Sequence, residues 1–293
     1  MTTNASINPI TGVRARWNGR RRGLRTDPGR FAAYVFLIVM AIIYIAPMAM
    51  LVLTSLKTLP EFNKNAVGLP ATLALDNFAE AWDKANFPRY LLNTVIYTAS
   101  SAIIFVITGT FLAVAIARRF VRGSGAMFTL FLIALFLPPA LIPQFQLILN
   151  LGLYNNPIGY ILLFLVNPIG IVILVNYIRT IPIELDEAAA IEGCGYLRYV
   201  IQIVLPLAKP AIATVAVLHS IGVWNELVLA TIYLTNSDYY PITRGLIVFN
   251  GVYGNNWPVL AAAVLMIAAP MAIFFVFMQR YIIGGVTAGA VKG

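Results

Sequence analysis

The sequence predicts an all-α membrane protein with six transmembrane helices and both termini in the cytoplasm. Three observations carry that expectation. Of 293 residues, 60% are hydrophobic and only 11% are charged, whereas a soluble globular chain is roughly one-quarter charged. Apolar runs with almost no charge recur along the sequence, and a helix needs about 20 such residues to cross a hydrocarbon core of roughly 30 Å. The basic residues are also divided unequally between the connections.

Residues 1–30 form a polar, Arg-rich tail with little apolar periodicity, expected to lie outside the six-helix domain of residues 31–293. The spans are expected at Phe31–Thr54, Leu91–Ala117, Met127–Leu149, Ile158–Ile178, Ala211–Leu234 and Val259–Met278. The first follows arginines as a secretory signal would, but about 24 apolar residues exceed the 7 to 15 of a cleavable core. It reads as a retained helix. The loop 55–90 carries an extended Leu69-Pro70-Ala71-Thr72-Leu73 run and a short helix from Asp76 to Lys84, with Asp76 as its cap and Trp82 at the interface. Pro138, Pro139 and Pro143 interrupt the third span, because proline removes backbone donors. That span either kinks against its neighbours or bends around a path with Gln144 and Gln146 near the opening.

A net charge of +9 could suggest a nucleic-acid partner. Its distribution argues otherwise, because the arginines stop where the first span begins. Fifteen of the twenty basic residues sit in the N-terminal tail, at Arg118, Arg119 and Arg122, at Arg179, Arg198 and Lys209, and at Arg280 and Lys292. The other five are Lys57, Lys64, Lys84, Arg89 and Arg244. The positive-inside rule places the first group in the cytoplasm, with the tail against anionic lipid. The one cysteine, Cys194, allows no intrachain disulfide and has no ligand cluster for a metal around it.

The long inside loop of residues 180–210 is the most informative segment. Pro182 suits a first helical turn, Glu184, Asp186 and Glu187 complement the positive end of its dipole, and Ala188, Ala189 and Ala190 propagate it. The expected helix, Pro182 to Glu192, is about 16 Å long. Gly193 and Gly195 stop it. A second helix carries Tyr196, Leu197, Val200, Ile201 and Val204 at helical spacing, ends at Leu205-Pro206, and leads into the fifth span. A helical knob at the membrane surface, joined to a span through Pro206 and Pro210, can pass motion into the bundle.

Glu187-Ala188-Ala189, Gly193, Ile203, Leu205 and Pro206 fill every fixed position of E-A-A-x3-G-x9-I-x-L-P. The segment thus resembles the EAA loop of permease subunits of ABC importers. That resemblance implies the type I ABC importer permease fold and a coupling helix seated in a cleft of a separate ATPase, with Glu187 as the polar contact and Gly193 as the turn. Likeness extends over nearly the whole chain, at Leu69 to Leu73 with Asn77, at Trp224-Asn225-Glu226, and at the ending RYIIGGVTAGAVKG. These look like the maltose-type sugar importers. Glu192 and Cys194 depart mildly, standing where many sugar permeases have Asp and Ala. The resemblance implies a heterodimer with a second permease, two ATPase subunits, an extracytoplasmic binding protein, a sugar as cargo, and a place in the bacterial inner membrane.

The chain has no phosphate-binding loop of its own, since its one Lys-Thr pair, Lys57-Thr58, follows Leu56 rather than a Gly-rich turn. ATP and Mg are expected on the partner ATPase. One His, one Cys and sparse carboxylates offer no nucleophile with a positioned base, so the chain is expected to be a non-catalytic transport subunit. In the fifth span His219, Gly222 and Glu226 fall at i, i+3 and i+7. An intramembrane carboxylate costs about 2.5 to 3.5 kcal/mol on insertion scales. His219 and Glu226, with Trp224 and Asn225, either line a sugar path or hydrogen-bond between helices; Asn93, Asn167 and Asn176 are weaker lining candidates. The alternatives are a permease for a non-sugar solute, or a self-sufficient secondary transporter, which would usually carry coupling-ion carboxylates and a repeated pair of broken helices.

Overall fold

The computed structural model describes residues 28–84, 86–249 and 256–290; the expected basic tail up to residue 27, and Lys292, lie outside the described residues. Every regular element among the described residues is helical. The chain divides into two units, residues 1–48 and 49–293. The first contains, among its described residues, the N-terminal part of α1 (Pro28–Ser55), whose apolar side chains are exposed.

In the second unit, α1 ends at Ser55 and is followed by α2 (Leu59–Lys64) and α3 (Asp76–Lys84). Asp76 is the first residue of α3, and Trp82, partly exposed, stacks on Phe87 at 4.9 Å. The loop between α1 and α3 is held by polar side chains. Lys57, 0% exposed, donates from Nζ to the carbonyls of Asn65 and Ala66 at 2.9 and 2.8 Å. Asn77 donates to the carbonyls of Ser55 and Lys57, both at 2.8 Å. Lys57→Met removes the donor while keeping the apolar stem, so two carbonyls lose their partner at about 1–3 kcal/mol for a buried group. Limited proteolysis of the detergent-purified variant is expected to cut the 58–75 segment several times faster than wild type, with α4 still protected.

α4 (Phe87–Ala117) crosses the expected second span unbroken. Among the described residues, three helices are long and apolar enough to cross a membrane uninterrupted, at Phe31–Ser55, Phe87–Ala117 and Trp257–Gln279. The other three expected spans are each divided. The third becomes α5 (Ser124–Ala134) and α6 (Leu141–Asn150). Pro138 and Pro139 occupy the break, but Pro143 lies in the first turn of α6, where its missing N–H would have had no helical partner.

The fourth becomes α7 (Pro157–Leu162) and α8 (Pro168–Ile178). Both start in the same way: Asn156 Oδ1 accepts from the Ile158 N–H at 2.8 Å, Asn167 Oδ1 accepts from the Gly170 N–H at 3.0 Å, and Pro157 and Pro168 supply the first helical residue. Gly170 also admits a neighbour, since a Cβ there would stand 2.6 Å from the Phe105 ring.

The connection onward holds α9 (Glu184–Ile191), α10 (Tyr196–Tyr199), a π-helical turn over Val200–Val204, and α11 (Leu205–Leu207). The Tyr196–Leu207 stretch then bends by 83° into α12 (Lys209–Trp224). The fifth span is completed by α13 (Val228–Tyr233), and α14 (Ile242–Gly245) precedes α15 (Trp257–Ala290).

The largest buried cluster lies where α4, α8 and α12 meet the α8–α12 loop. It joins Val114 and Ile116 of α4, Leu174 and Ile178 of α8, Ala189 of α9, Tyr199, Val200 and Val204 of the second loop helix, and Ala211 and Val215 of α12. The loop is therefore packed into the core on one side. A second cluster brings Tyr97 of α4, Ile148 of α6, Tyr160 of α7 and Tyr233 of α13 together, so the broken spans are closed by one another around α4.

Candidate functional site

The α8–α12 loop starts from a short α9. The helix runs from Glu184 to Ile191, two residues shorter at its start than the sequence suggests, because Pro182 and Ile183 lie in the turn before it. Glu184, Asp186 and Glu187 occupy its first turn, where the N-terminal dipole favours negative charge. Ala189 is buried, whereas Glu187, Ala188 and Ala190 are exposed. Ile183 and Ile191 flank Glu187 at i−4 and i+4 and are 61% and 87% exposed. The outward stripe of α9 is thus one carboxylate between two uncovered isoleucines.

The helix ends at Gly193, whose φ of +66° is left-handed. Its N–H donates to the Ala190 carbonyl at 3.1 Å, and that of Cys194 donates to Ala189 at 2.9 Å, satisfying carbonyls of the last turn. Gly195 does not share this role: at φ −66° and ψ 159° it is extended and serves as the N-cap of α10. Ile203 packs against the main core, Leu205 is partly buried, and Pro206 lies in the first turn of α11, just before the 83° bend.

The inward side of α9 carries a polar contact that sequence reasoning missed. Arg118 caps α4, and its Nε stands 2.8 Å from Asp186 Oδ2 in an ion pair, with side chains 8% and 17% exposed. The same guanidinium donates through a terminal nitrogen to the Ile181 carbonyl at 3.0 Å. Tyr199 donates its hydroxyl to the other oxygen of Asp186, Oδ1, at 2.5 Å. Burial, and then the hydrogen bond to Asp186, raise the Tyr199 pKa, so the phenol stays protonated as a donor. Tyr196 donates to the Phe111 carbonyl of α4 at 2.6 Å. A cavity of about 360 Å³ opens behind α9 between Phe120, Tyr196, Tyr199 and Cys194.

The four residues considered for a substrate path are engaged in separate contacts. His219 is buried and stacks on Phe105 at 4.8 Å, with Nδ1 3.1 Å from Asn167 Nδ2 and Nε2 3.3 Å from Ser101 Oγ. It joins α12 to α4 and to the start of α8. Trp224 donates to the Ile267 carbonyl of α15 at 3.3 Å. Asn225 is exposed and its amide returns to the Ile221 carbonyl of α12 at 2.9 Å.

Glu226 does not continue the helical face of His219 and Gly222, because α12 ends at Trp224. Its Oε1 accepts from the Leu229 N–H at 2.8 Å at the start of α13, and its carbonyl accepts from Thr243 Oγ1 at 2.9 Å. Asn93 likewise ties α4 to the carbonyls of Asp238 and Tyr240. Glu226→Gln keeps an acceptor oxygen and is expected to leave the thermal melt of the detergent-purified protein unchanged, whereas Glu226→Ala frees the Leu229 N–H at a cost of about 1 kcal/mol.

Residues 105–287 match the family described as binding-protein-dependent transport system inner membrane component. The melibiose/raffinose/stachyose import permease protein MelC of Bacillus subtilis is 32% identical over 280 residues, covering 93% of this chain and 100% of that protein. The diacetylchitobiose uptake system permease protein NgcG of Streptomyces coelicolor is 31% identical, over 92% of each chain. The arabinooligosaccharides transport system permease protein AraQ of Halalkalibacterium halodurans is 32% identical over 86% of this chain and 93% of its own.

Among solved structures, a chain from a bacterial ABC transporter involved in the import of the acidic polysaccharide alginate superposes with a TM-score of 0.78, at 22% identity, over 88% of this chain and 98% of that one. The fold is therefore that of an ABC importer permease. With the family match running from the second half of α4 into α15, the chain belongs to the binding-protein-dependent transport system inner membrane components.

Proposed function

We propose that the chain is one permease subunit of an ATP-driven importer that carries an oligosaccharide, delivered by an extracytoplasmic binding protein, across the bacterial inner membrane. The observation that carries the reading is the outward stripe of α9. Glu187 and Ile191 of α9, with Ile183 in the turn just before it, stand uncovered on one side while the other side of the helix is fixed in the core, which is the arrangement of a knob that docks into a partner. The partner is an ATPase, and it holds the ATP and Mg that this sequence has no loop to bind.

The charge bias supports a cytoplasmic position for the loop and both termini, with six crossings of which three are broken helices. Breaks are tolerated within a membrane where neighbouring helices or a wet cavity satisfy the backbone. A second permease pairs with this one, and two ATPase subunits complete the complex. The oligosaccharides named for the three relatives define the cargo class. Trp224, Glu226 and His219 act mainly by setting helix contacts around the path, and Asn225, exposed at the end of α12, is the one of the four proposed to line it.

The test is uptake of labelled raffinose, diacetylchitobiose and arabinotriose by vesicles containing the complex that co-purifies with this chain. ATP-dependent uptake of at least one, abolished by omitting the ATPase, is expected. Flux through the chain reconstituted alone, without ATP, would overturn the reading.

A further inference from the structure

The α8–α12 loop is joined covalently to α8 and α12, and noncovalently to α4 by Tyr196 on the Phe111 carbonyl and by Arg118, Asp186 and Tyr199. We propose that the last three residues form a positioning clamp that makes α9 and the end of α4 move as one, so that displacement of α9 drives α4 directly. The inference rests on the reading of this loop as the element moved by the ATPase.

The geometry is specific. One guanidinium binds both the loop entry, at the Ile181 carbonyl, and α9, at Asp186. The second oxygen of the same carboxylate takes the Tyr199 hydroxyl from the second loop helix. Loop entry, first helix and second helix therefore converge on the residue that ends α4. Asp186 and Glu187 are neighbours on α9 that face different ways: Asp186 is turned inward to Arg118, and Glu187 is exposed on the stripe that flanks the isoleucines. A force applied at the outer carboxylate reaches the inner one within a single helical turn.

Apolar packing alone could let α9 slide over α4, because dispersion contacts carry no direction. The directional hydrogen bonds of the Arg118 guanidinium to the Ile181 carbonyl and of the Tyr199 hydroxyl to Asp186, held together by the Arg118–Asp186 ion pair, resist that slide. Without the clamp, the ATPase would still bind the outward stripe and hydrolyse ATP, but part of the loop motion would be lost before α4.

The readout is sugar transported per ATP hydrolysed by the complete complex in vesicles, using the sugar identified by the uptake panel above. Asp186→Asn and Arg118→Met are expected to lower this ratio roughly tenfold, and Tyr199→Phe roughly threefold, while ATPase co-purification stays at the wild-type level. The exchanged pair Arg118→Asp with Asp186→Arg is expected to recover most of the ratio. A wild-type ratio in Asp186→Asn overturns the proposal. Should that variant fail to accumulate, a wild-type ratio in Tyr199→Phe, which loses one oxygen from the same site, overturns it equally. A wild-type complex with no ATP-dependent uptake refutes the importer reading instead.

Discussion

Gly193→Val is expected to lower uptake roughly 5- to 30-fold while leaving the chain inserted in the membrane, and Gly193→Asn to retain most of it. The order follows from the backbone. At φ +66° the glycine is left-handed, a conformation that costs an L-residue roughly 1–2 kcal/mol and is a true outlier for a β-branched side chain. Nothing stands within 4 Å of a Cβ built at this position, so the side chain meets no steric wall and the penalty is conformational alone. Asparagine, which visits left-handed angles more readily, therefore pays least, alanine pays more, and valine pays most. A cost of that size shifts a docked loop toward undocked forms by a factor of roughly 5 to 30. Because Cys194 donates back to Ala189 across this turn, relaxing Gly193 also releases the last turn of α9 and the entry to α10. Uptake of labelled sugar, normalised to the amount of chain in the membrane, checks the series; equal uptake by the asparagine and valine variants would remove the turn from the mechanism.

The loop was the part of the molecule most open to sequence reasoning, because its signals are local. Acidic residues before an alanine run, a glycine after it and prolines at the next helix start each act within a few residues, and the observed α9, Gly193 turn and 83° bend correspond to them. Hydropathy, by contrast, averages over about a membrane width. It merged α7 with α8 and α12 with α13 into single spans, because Asn167 and Glu226 satisfy helix starts with one side-chain oxygen each without changing the apolar character around them.

The Asn-Pro pairs at Asn156-Pro157 and Asn167-Pro168 were the readable sign of the starts of α7 and α8. Helical periodicity also misplaced Glu226, since a face computed at i+7 has meaning only if the helix continues. The Arg118–Asp186 pair was illegible for another reason. It joins the end of α4 to a helix beyond four intervening elements, and a single sequence does not say which arginine meets which aspartate.

Glu187→Lys is the substitution that most sharply separates folding from coupling. Glu187 is exposed, and a surface substitution away from caps and buried contacts changes stability by only about 0.5 kcal/mol. It also stands in the first turn of α9, so reversing its charge loses a dipole interaction of about 0.3–1 kcal/mol. The core side of the helix, with Ala189 packed and Asp186 paired to Arg118, is untouched. The chain is therefore expected to accumulate, insert and melt nearly as wild type. Its outer stripe would instead present a cation between Ile183 and Ile191, and a partner site that receives a carboxylate there meets a like charge or an unpaired one, which costs several kcal/mol at a docked interface. Co-purification of the ATPase with the tagged permease is expected to fall at least about a hundredfold, the equivalent of 2.7 kcal/mol or more, and uptake to fall with it. Glu187→Gln, which keeps the shape and an acceptor oxygen, is expected to lose much less. Wild-type recovery of the ATPase with Glu187→Lys would move the docking contact off this stripe, leaving α9 as a surface helix fixed only from within by Asp186 and Ala189.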